Sequence, residues 1–376
     1  MNGKRFAAAM GTAAGVVILV GLPLLGAWLA GMPLGQYLEF PPTTRYVEHA
    51  ASSWPVFLGL ALAILCVLLP LLHRWLRASV ALTEPDPAGS RSAFRVPRSA
   101  FPWWGWLALV FGALAWLLAW TRFEWVAPLQ PFTFTPLWLA YIAVVNALTF
   151  RRSGHCMLTD RPRHLARLFA VSSAFWWFFE YLNRFVQNWY YTGIGGLAPW
   201  KYFVFATLPF STVLPAVLGT CELLATFPRM AAGLDRFRPL TFPRPRRLAA
   251  LTFAAAAAGL AAIGVWPDLL FPLLWLAPVL ILTSVQSLRG QTTVLTEAGR
   301  GDWRRVWLLA MAALICGFFW EMWNFLSLAK WIYAVPYVHR FRLFEMPILG
   351  YAGYLPFGLE CAVVAGLAGH ETSRNP

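Results

Sequence analysis

The stretch GFFWEMWNFLSLAKWIY, Gly317–Tyr333, decides how this chain is read. It places a carboxylic acid, Glu321, and an amide, Asn324, inside an otherwise apolar and aromatic run. Upstream, the stretch AFWWFFEYLNRFVQNWYY from Ala174 to Tyr191 has nearly the same sequence. Each of these two similar stretches is here called a word. An acidic side chain is costly in apolar surroundings and usually has a partner or a function there. The two words therefore indicate a repeated site in a greasy environment.

The composition indicates that this environment is a lipid bilayer. The chain of 376 residues is 59% hydrophobic, 16% aromatic and only 12% charged, which lies outside the usual range of soluble domains. Runs of about 17 to 25 apolar residues can cross the hydrocarbon core as helices. Ten such runs lie near 6–31, 54–72, 103–121, 132–150, 166–189, 202–226, 248–266, 269–287, 306–326 and 347–368. The sequence therefore predicts an all-α integral membrane protein with about ten transmembrane helices.

The first apolar run follows basic residues, as in a secretory signal peptide. It is longer than the apolar stretch of such a signal, so we expect it to be a transmembrane helix.

The basic residues mark one side of the membrane. The formal net charge of +14 would suggest nucleic acid in a soluble chain. With a cytoplasmic N-terminus, however, 23 of the 30 basic residues fall on the inner side, as the positive-inside rule requires. The sequence thus predicts no nucleic-acid partner and two cytoplasmic termini. Arginine outnumbers lysine by 27 to 3, which is typical of a GC-rich bacterial gene and indicates a bacterial inner membrane.

The chain also carries an internal repeat of about 140 residues. The word with Glu180 matches the word with Glu321 at an offset of 141 residues, and VLPAVLGTCELL matches YLPFGLECAVV at the same offset. Four helices per copy would give both copies the same orientation, which makes them parallel repeats. The predicted division is an N-terminal helix pair with its loop (1–100), a first four-helix repeat (101–230), a basic linker (231–247) and a second four-helix repeat (248–376).

Four glutamates lie inside the predicted helices, and each is a candidate for chemistry because membrane-embedded carboxyls usually face a cavity or a partner. Glu222 lies closer to the inner surface than the other three. A spacing of three residues places each repeated glutamate and its asparagine on one helix face, where the amide can orient the carboxyl. The predicted catalytic residues are Glu321, Glu360, Glu180, Asn324 and Asn183.

The two copies differ one turn after the glutamate. Arg184 follows Glu180 by four residues and offers a counter-ion, whereas Phe325 follows Glu321 at the same spacing. Desolvation favours the neutral acid and a nearby cation favours the charged one. We therefore expect Glu180 to be ionised and Glu321, with Glu360, to be protonated at neutral pH. Two acids in different charge states are typical of acid and base roles.

Aromatic residues surround these acids, and their faces can stabilise a cation by about 0.5 to 2 kcal/mol each. The alternative is that the rings only pack, and that the Glu–Asn pairs only hold helices together. The predicted substrate-binding residues are Trp320, Trp323, Phe325, Tyr351, Tyr354 and Trp177.

Other kinds of site lack support in the sequence. The six histidines lie in loops or beside helix ends without the spacing of a metal site, and the five cysteines are scattered. The aspartates are isolated, and neither a Walker loop nor a dinucleotide glycine motif is present. We therefore expect no metal and no cofactor, and an apolar lipid as the partner of the site.

The tandem repeats, a helix carrying an acid, and the later element LPFGLE resemble the integral-membrane lycopene cyclases. That resemblance implies protonation of a polyene and ring closure without net redox change. Those cyclases have paired acids after the proline, whereas single acids stand here, and Gly219 occupies the position in the first copy that Glu360 occupies in the second. The chemistry available is also similar to that of the bacterial tetrahymanol synthases, which protonate a hopene, expand a ring and capture water.

Three functions are compatible with these features. The first is a membrane enzyme that protonates and rearranges an isoprenoid lipid. The second is a secondary transporter or lipid flippase, because parallel repeats with polar residues near the midplane are a transporter architecture. The third is a scaffold without chemistry. The concentration of polar residues at two sites among tryptophans favours the enzyme.

Overall fold

The computed structural model describes residues 3–40, 44–81 and 100–367. The loop at the end of the predicted N-terminal unit (1–100) lies mostly outside these residues, at 82–99, and so does the end of the second predicted repeat, 368–376. The helices are α1 Gly3–Leu29, α2 Gly35–Leu38, α3 Trp54–Ala81, α4 Trp103–Trp120, α5 Phe134–Ser153, α6 Met157–Asp160, α7 Pro162–Val186, α8 Pro199–Phe210, α9 Val213–Ala225, α10 Pro245–Ala262, α11 Pro267–Leu270, α12 Leu273–Leu288, α13 Thr296–Gly299, α14 Arg304–Phe325 and α15 Tyr354–Leu367. Short 3-10 turns occur at Glu124–Val126, Gln130–Phe132, Pro228–Ala231 and Ile348–Gly353.

The prediction of a mostly helical membrane protein is confirmed, but the predicted number of ten crossings is not. Six helical segments of the described residues are long and apolar enough to cross a bilayer. The other predicted crossings coincide with α1, α7, α10 and α12. Gly15–Leu29 of α1 and Leu273–Leu288, which is α12, are shorter apolar helices, whereas α7 begins with Arg163 and Arg167, and α10 with Arg246 and Arg247. The six segments are Trp54–Ala81, Trp103–Trp120, Gln130–Ser153, Pro199–Ala225, Arg304–Phe325 and Ile348–Leu367.

The core forms where helices from the two halves of the chain meet. Helix α4 packs on α5 and α10 packs on α12, while α14 packs against both α15 and α9. Small residues permit the closest approaches, as in other membrane helix pairs. A Cβ on Gly358 would lie 2.2 Å from the Leu309 carbonyl oxygen, and one on Gly317 would lie 2.3 Å from the Tyr354 ring. Helices α14 and α15 therefore pack almost backbone to backbone.

In the part of the chain that the structure describes, four short strands accompany the helices. Strand β1 (Trp189–Thr192) follows α7, strand β2 (Lys330–Tyr333) follows α14, and the two pair antiparallel. Strands β3 (Arg342–Leu343) and β4 (Met346–Pro347) form a second small pair. The β1–β2 ribbon joins the ends of the two helices that carry the repeated Glu–Asn words.

Candidate functional site

Glu180 lies on α7 and is fully buried. Its Oε1 accepts hydrogen bonds from Trp176 Nε1 at 3.1 Å, Trp189 Nε1 at 3.2 Å and the Tyr191 hydroxyl at 2.5 Å. Two of these donors come from β1, so the strand folds back onto the helix that precedes it. Within the described residues Oε2 has no hydrogen-bond partner.

Glu321 occupies the corresponding place on α14 and is also fully buried. Its Oε1 accepts hydrogen bonds from the hydroxyls of Tyr333 and Tyr354, both at 2.7 Å. The Tyr333 hydroxyl in turn accepts a hydrogen bond from Trp331 Nε1 at 2.9 Å. As with Glu180, the second carboxyl oxygen lacks a partner in the described part of the chain. Each repeated glutamate is therefore bound by a tyrosine from the strand that follows its own helix.

The two asparagines position these strands. Asn183 Nδ2 donates to the Trp189 carbonyl at 2.8 Å, and Asn183 Oδ1 accepts from the backbone N–H of Asn188 at 2.8 Å. Asn324 makes the same kind of clasp, with Nδ2 donating to the Trp331 carbonyl at 2.8 Å and Oδ1 accepting from its backbone N–H at 2.9 Å. The amides thus fix the turn from helix to strand and do not contact the carboxyls.

The ribbon brings the two half-sites onto one face. Trp189 is opposite Tyr333, and Tyr191 is opposite Trp331. Alternate residues of a strand project from the same face, and directly opposed residues share it. Two tryptophans and two tyrosines therefore form a square on the face directed toward Glu180 and Glu321.

A cavity of about 340 Å³ lies against this square. That volume is within the range of ligand pockets, about 300 to 1,000 Å³. Its wall is mainly aromatic and aliphatic, with contributions from α3, α8, α12 and α14. The aromatic wall includes Trp176, Trp189, Trp275, Trp320, Trp331, Tyr191, Tyr202, Tyr333 and Tyr354.

The carboxyls themselves are not part of the cavity wall. Glu180 and Glu321 lie behind the rings that bind them, and the hydroxyl-bearing residues Tyr191, Tyr333 and Tyr354 form the wall. Direct contact between a carboxyl and a ligand is therefore not the geometry of this site. The phenol groups stand between ligand and acid.

Arg184 does not make the contact that the sequence suggested. Its Nη1 donates to the Tyr37 carbonyl at 2.7 Å, and no salt bridge to Glu180 occurs among the described residues. Arg184 is instead directed to the backbone of α2, and the three donors to Glu180 Oε1 are Trp176, Trp189 and Tyr191.

Glu360 and Glu222 lie elsewhere. Glu360 Oε1 accepts the backbone N–H of Val279 at 3.2 Å, next to Pro278 inside α12. Glu222 pairs with Arg161. Neither lines the cavity, so the structure brings Glu180 and Glu321 to the cavity region and leaves the other two acids apart from it.

The predicted substrate-binding residues are also divided. Trp320 and Tyr354 line the cavity. Trp323 packs against Trp138 away from it, and the Tyr351 hydroxyl donates to the Leu343 carbonyl at 3.2 Å. The remaining two also lie outside the cavity wall: Trp177 donates to Thr207, and Phe325 contacts Phe344.

Sequence reasoning missed Trp189, Tyr191, Trp331 and Tyr333. The signal was present in NWYY and KWIY, which place Trp and Tyr two residues apart in both words. That spacing puts both rings on one face of a strand. The helix predicted over 166–189 covers the first half of NWYY, and KWIY follows the helix predicted over 306–326, so neither stretch stood out as a strand.

Comparison with protein families, with curated proteins and with solved structures finds no match to this chain.

Proposed function

We propose that this chain is a membrane enzyme that carries out the acid-initiated rearrangement, cyclisation or hydration of an isoprenoid lipid. One observation carries the proposal: two buried carboxyls are each hydrogen-bonded to tyrosines in the wall of one aromatic cavity. Such a cavity suits a greasy substrate, and the carboxyl–phenol pairs can supply and recover protons.

The proposed first step passes a proton through a tyrosine. The π electrons of a substrate double bond form a new C–H bond with the Tyr333 or Tyr354 hydroxyl proton. For this step the phenol O–H, which donates to Glu321 Oε1 in the structure, turns toward the substrate. The O–H bond of that phenol breaks, and its oxygen accepts the proton of the Glu321 carboxyl group. The products are a carbocation in the cavity and a carboxylate behind the wall. Either loss of a proton from the cation or addition of water followed by proton loss restores the acid.

Burial supports a protonated acid in at least one half-site. Both glutamates are fully buried, and neither has a basic side chain in salt-bridge contact among the described residues. An isolated ionised carboxylate is very costly in apolar surroundings. A neutral carboxyl is tolerated there and is the form that can donate.

The aromatic wall supports the carbocation. Indole and phenol faces attract cations by about 0.5 to 2 kcal/mol each when water is excluded. Five tryptophans line the cavity in the described part of the chain. The specific reaction we propose is hopene ring expansion to tetrahymanol, in which a rearranged cation captures water.

The membrane setting that we propose has ten crossings, arranged as two parallel four-helix repeats after an N-terminal helix pair. It places the chain in a bacterial inner membrane with both termini in the cytoplasm. The charge distribution and the matching positions of α7–β1 and α14–β2 support this arrangement.

A secondary transporter or lipid flippase is the second candidate, and the similar build of the two half-sites favours it. A pathway for polar solutes needs polar groups along its wall, whereas Lys330 is the charged residue of this wall within the described chain. Lys330 is already paired with Glu345 at 2.6 Å. The wall composition therefore supports a greasy ligand.

Product analysis tests the enzyme proposal. The chain is expressed in a host supplied with hopene, and the extracted lipids are examined by gas chromatography and mass spectrometry. We expect a new polycyclic alcohol or isomer, and a loss of about 10²- to 10⁴-fold in its formation with Glu321→Gln or Tyr333→Phe. Glu222→Gln is the matched control because it removes an acid paired with Arg161 outside the cavity. If hopene remains unchanged by a folded parent chain, the hopene reaction is wrong. If transported lipid but no product is found in vesicles, the flippase replaces the enzyme.

A further inference from the structure

Asn188, the residue immediately before β1, is a polar group in the cavity wall that the proton chemistry does not use. Only 3% of its surface is exposed, and the residue is one of those that line the cavity. Its Oδ1 is buried and has no hydrogen-bond partner in the described chain. Buried polar side chains are generally hydrogen-bonded, so an unpaired amide beside a cavity calls for a ligand.

The backbone of Asn188 is firmly held, which fixes the place of its side chain. Its N–H donates to Asn183 Oδ1 at 2.8 Å, and its carbonyl accepts from the Ala334 N–H at 2.8 Å. Both backbone hydrogen-bonding groups of Asn188 are therefore used within the protein. The amide oxygen, by contrast, has no hydrogen-bond partner among the described residues.

The other copy of the word shows a different solution. In NWYY and KWIY, Lys330 corresponds to Asn188, and both residues line the cavity. Lys330 Nζ donates to Glu345 Oε1 at 2.6 Å and to the Phe325 carbonyl at 3.3 Å. The polar group of the second copy is thus satisfied within the protein, whereas the amide oxygen of the first is not.

We propose that Asn188 binds the hydroxyl group of an isoprenoid alcohol held in the cavity. A hydroxyl can donate to the amide oxygen and accept from the amide N–H₂, so a single neutral group satisfies both functions. An ionic headgroup would need a counter-charge, and the charged residue of the described wall, Lys330, is already paired. This inference rests on the proposed function, in which hydration of hopene leaves an isoprenoid alcohol in the same cavity.

Paired ligands test the proposal. The purified full chain in nanodiscs is titrated with geranylgeraniol and with the hydrocarbon of the same carbon skeleton, each competing against a tritiated geranylgeraniol probe. We expect the parent chain to prefer the alcohol. Asn188→Leu should weaken binding of the alcohol by roughly fivefold to a hundredfold, the value of two hydrogen bonds, and leave the hydrocarbon unchanged. Asn188→Ala repeats the comparison without added bulk.

The outcomes separate this inference from the proposed function. Equal binding of alcohol and hydrocarbon by the parent, or an equal loss of both in Asn188→Leu, overturns the role of Asn188 and leaves a lipid cavity standing. If the parent binds neither ligand, the proposal of a lipid-binding cavity is itself wrong.

Asn146→Leu serves as the structural control, because Asn146 donates to the Ile142 carbonyl and accepts from the Leu158 N–H, at 2.8 and 2.9 Å. We expect that control to lower the melting temperature and Asn188→Leu to maintain or raise it. A matching drop in both would identify Asn188 as structural.

Discussion

At the scale of single residues, the identical and buried side chains of Glu180, Glu321 and Glu360 have different surroundings. Glu180 and Glu321 each bind a tyrosine hydroxyl of the cavity wall, whereas Glu360 binds a backbone N–H. The difference follows from the elements they face. The first two face the ribbon, and Glu360 faces α12 where Pro278 interrupts regular helix bonding. Burial alone therefore does not identify an acid catalyst here.

This contrast predicts that the same Glu→Gln substitution has a small effect at Glu360 and a large effect at Glu321. Glu360→Gln keeps an oxygen that can accept the Val279 N–H, so we expect product formation to change by less than about tenfold. Glu321→Gln removes the proton donor behind Tyr333 and Tyr354 and should lose about 10²- to 10⁴-fold. Lipid extraction from cells with equal amounts of each folded variant measures both. An equally large loss in Glu360→Gln would place that acid in the chemistry.

At the scale of elements, the β1–β2 ribbon is the feature that makes one site from two halves of the chain. Its register places Tyr190 directly opposite Ile332, at the centre of the pairing. Opposed residues of antiparallel strands have Cβ atoms about 4.5 to 5.5 Å apart, near the spacing that a disulfide requires. The ribbon can therefore be tested by crosslinking.

We expect Tyr190→Cys and Ile332→Cys, combined in one chain, to form a disulfide on mild oxidation. Differential alkylation followed by mass spectrometry detects the bond. The control pairs Tyr190→Cys with Trp331→Cys, whose side chain projects from the opposite face of the ribbon. Crosslinking in the control and not in the test pair would mean that the register is shifted by one residue.

The ribbon also shows where sequence reasoning ended. The apolar runs located the helices, and the repeated words located Glu180 and Glu321, because both signals are local. The pairing of β1 with β2 joins residues that are far apart in sequence, and no local pattern specifies such a pairing. For the same reason the bond from Tyr354 to Glu321 and the separation of Glu360 from the cavity required the fold.

At the scale of the whole molecule, the two ends of the helix bundle differ in charge. Helices α7 and α14 begin at an end that carries arginines, including the Arg161–Glu222 and Arg304–Asp302 pairs, and both end at the ribbon. The positive-inside rule then predicts that the arginine end faces the cytoplasm and that the ribbon faces the outside. Leu269, on α11, can distinguish ten crossings from fewer. Helix α10 is the element between it and the basic loop around Arg238, so the two positions lie on opposite sides of the membrane only if α10 crosses it.

Labelling from outside the cell tests this topology. If α10 crosses the membrane, Leu269→Cys lies outside and Arg238→Cys inside; if α10 does not cross, both lie on one side. Both positions are exposed in the structure, so a thiol there can react. We expect a membrane-impermeant maleimide to label Leu269→Cys in spheroplasts, and to label Arg238→Cys only after lysis. The parent chain sets the background from its five cysteines. Labelling of both positions before lysis, or of neither, would remove α10 from the membrane and with it the parallel four-helix repeats.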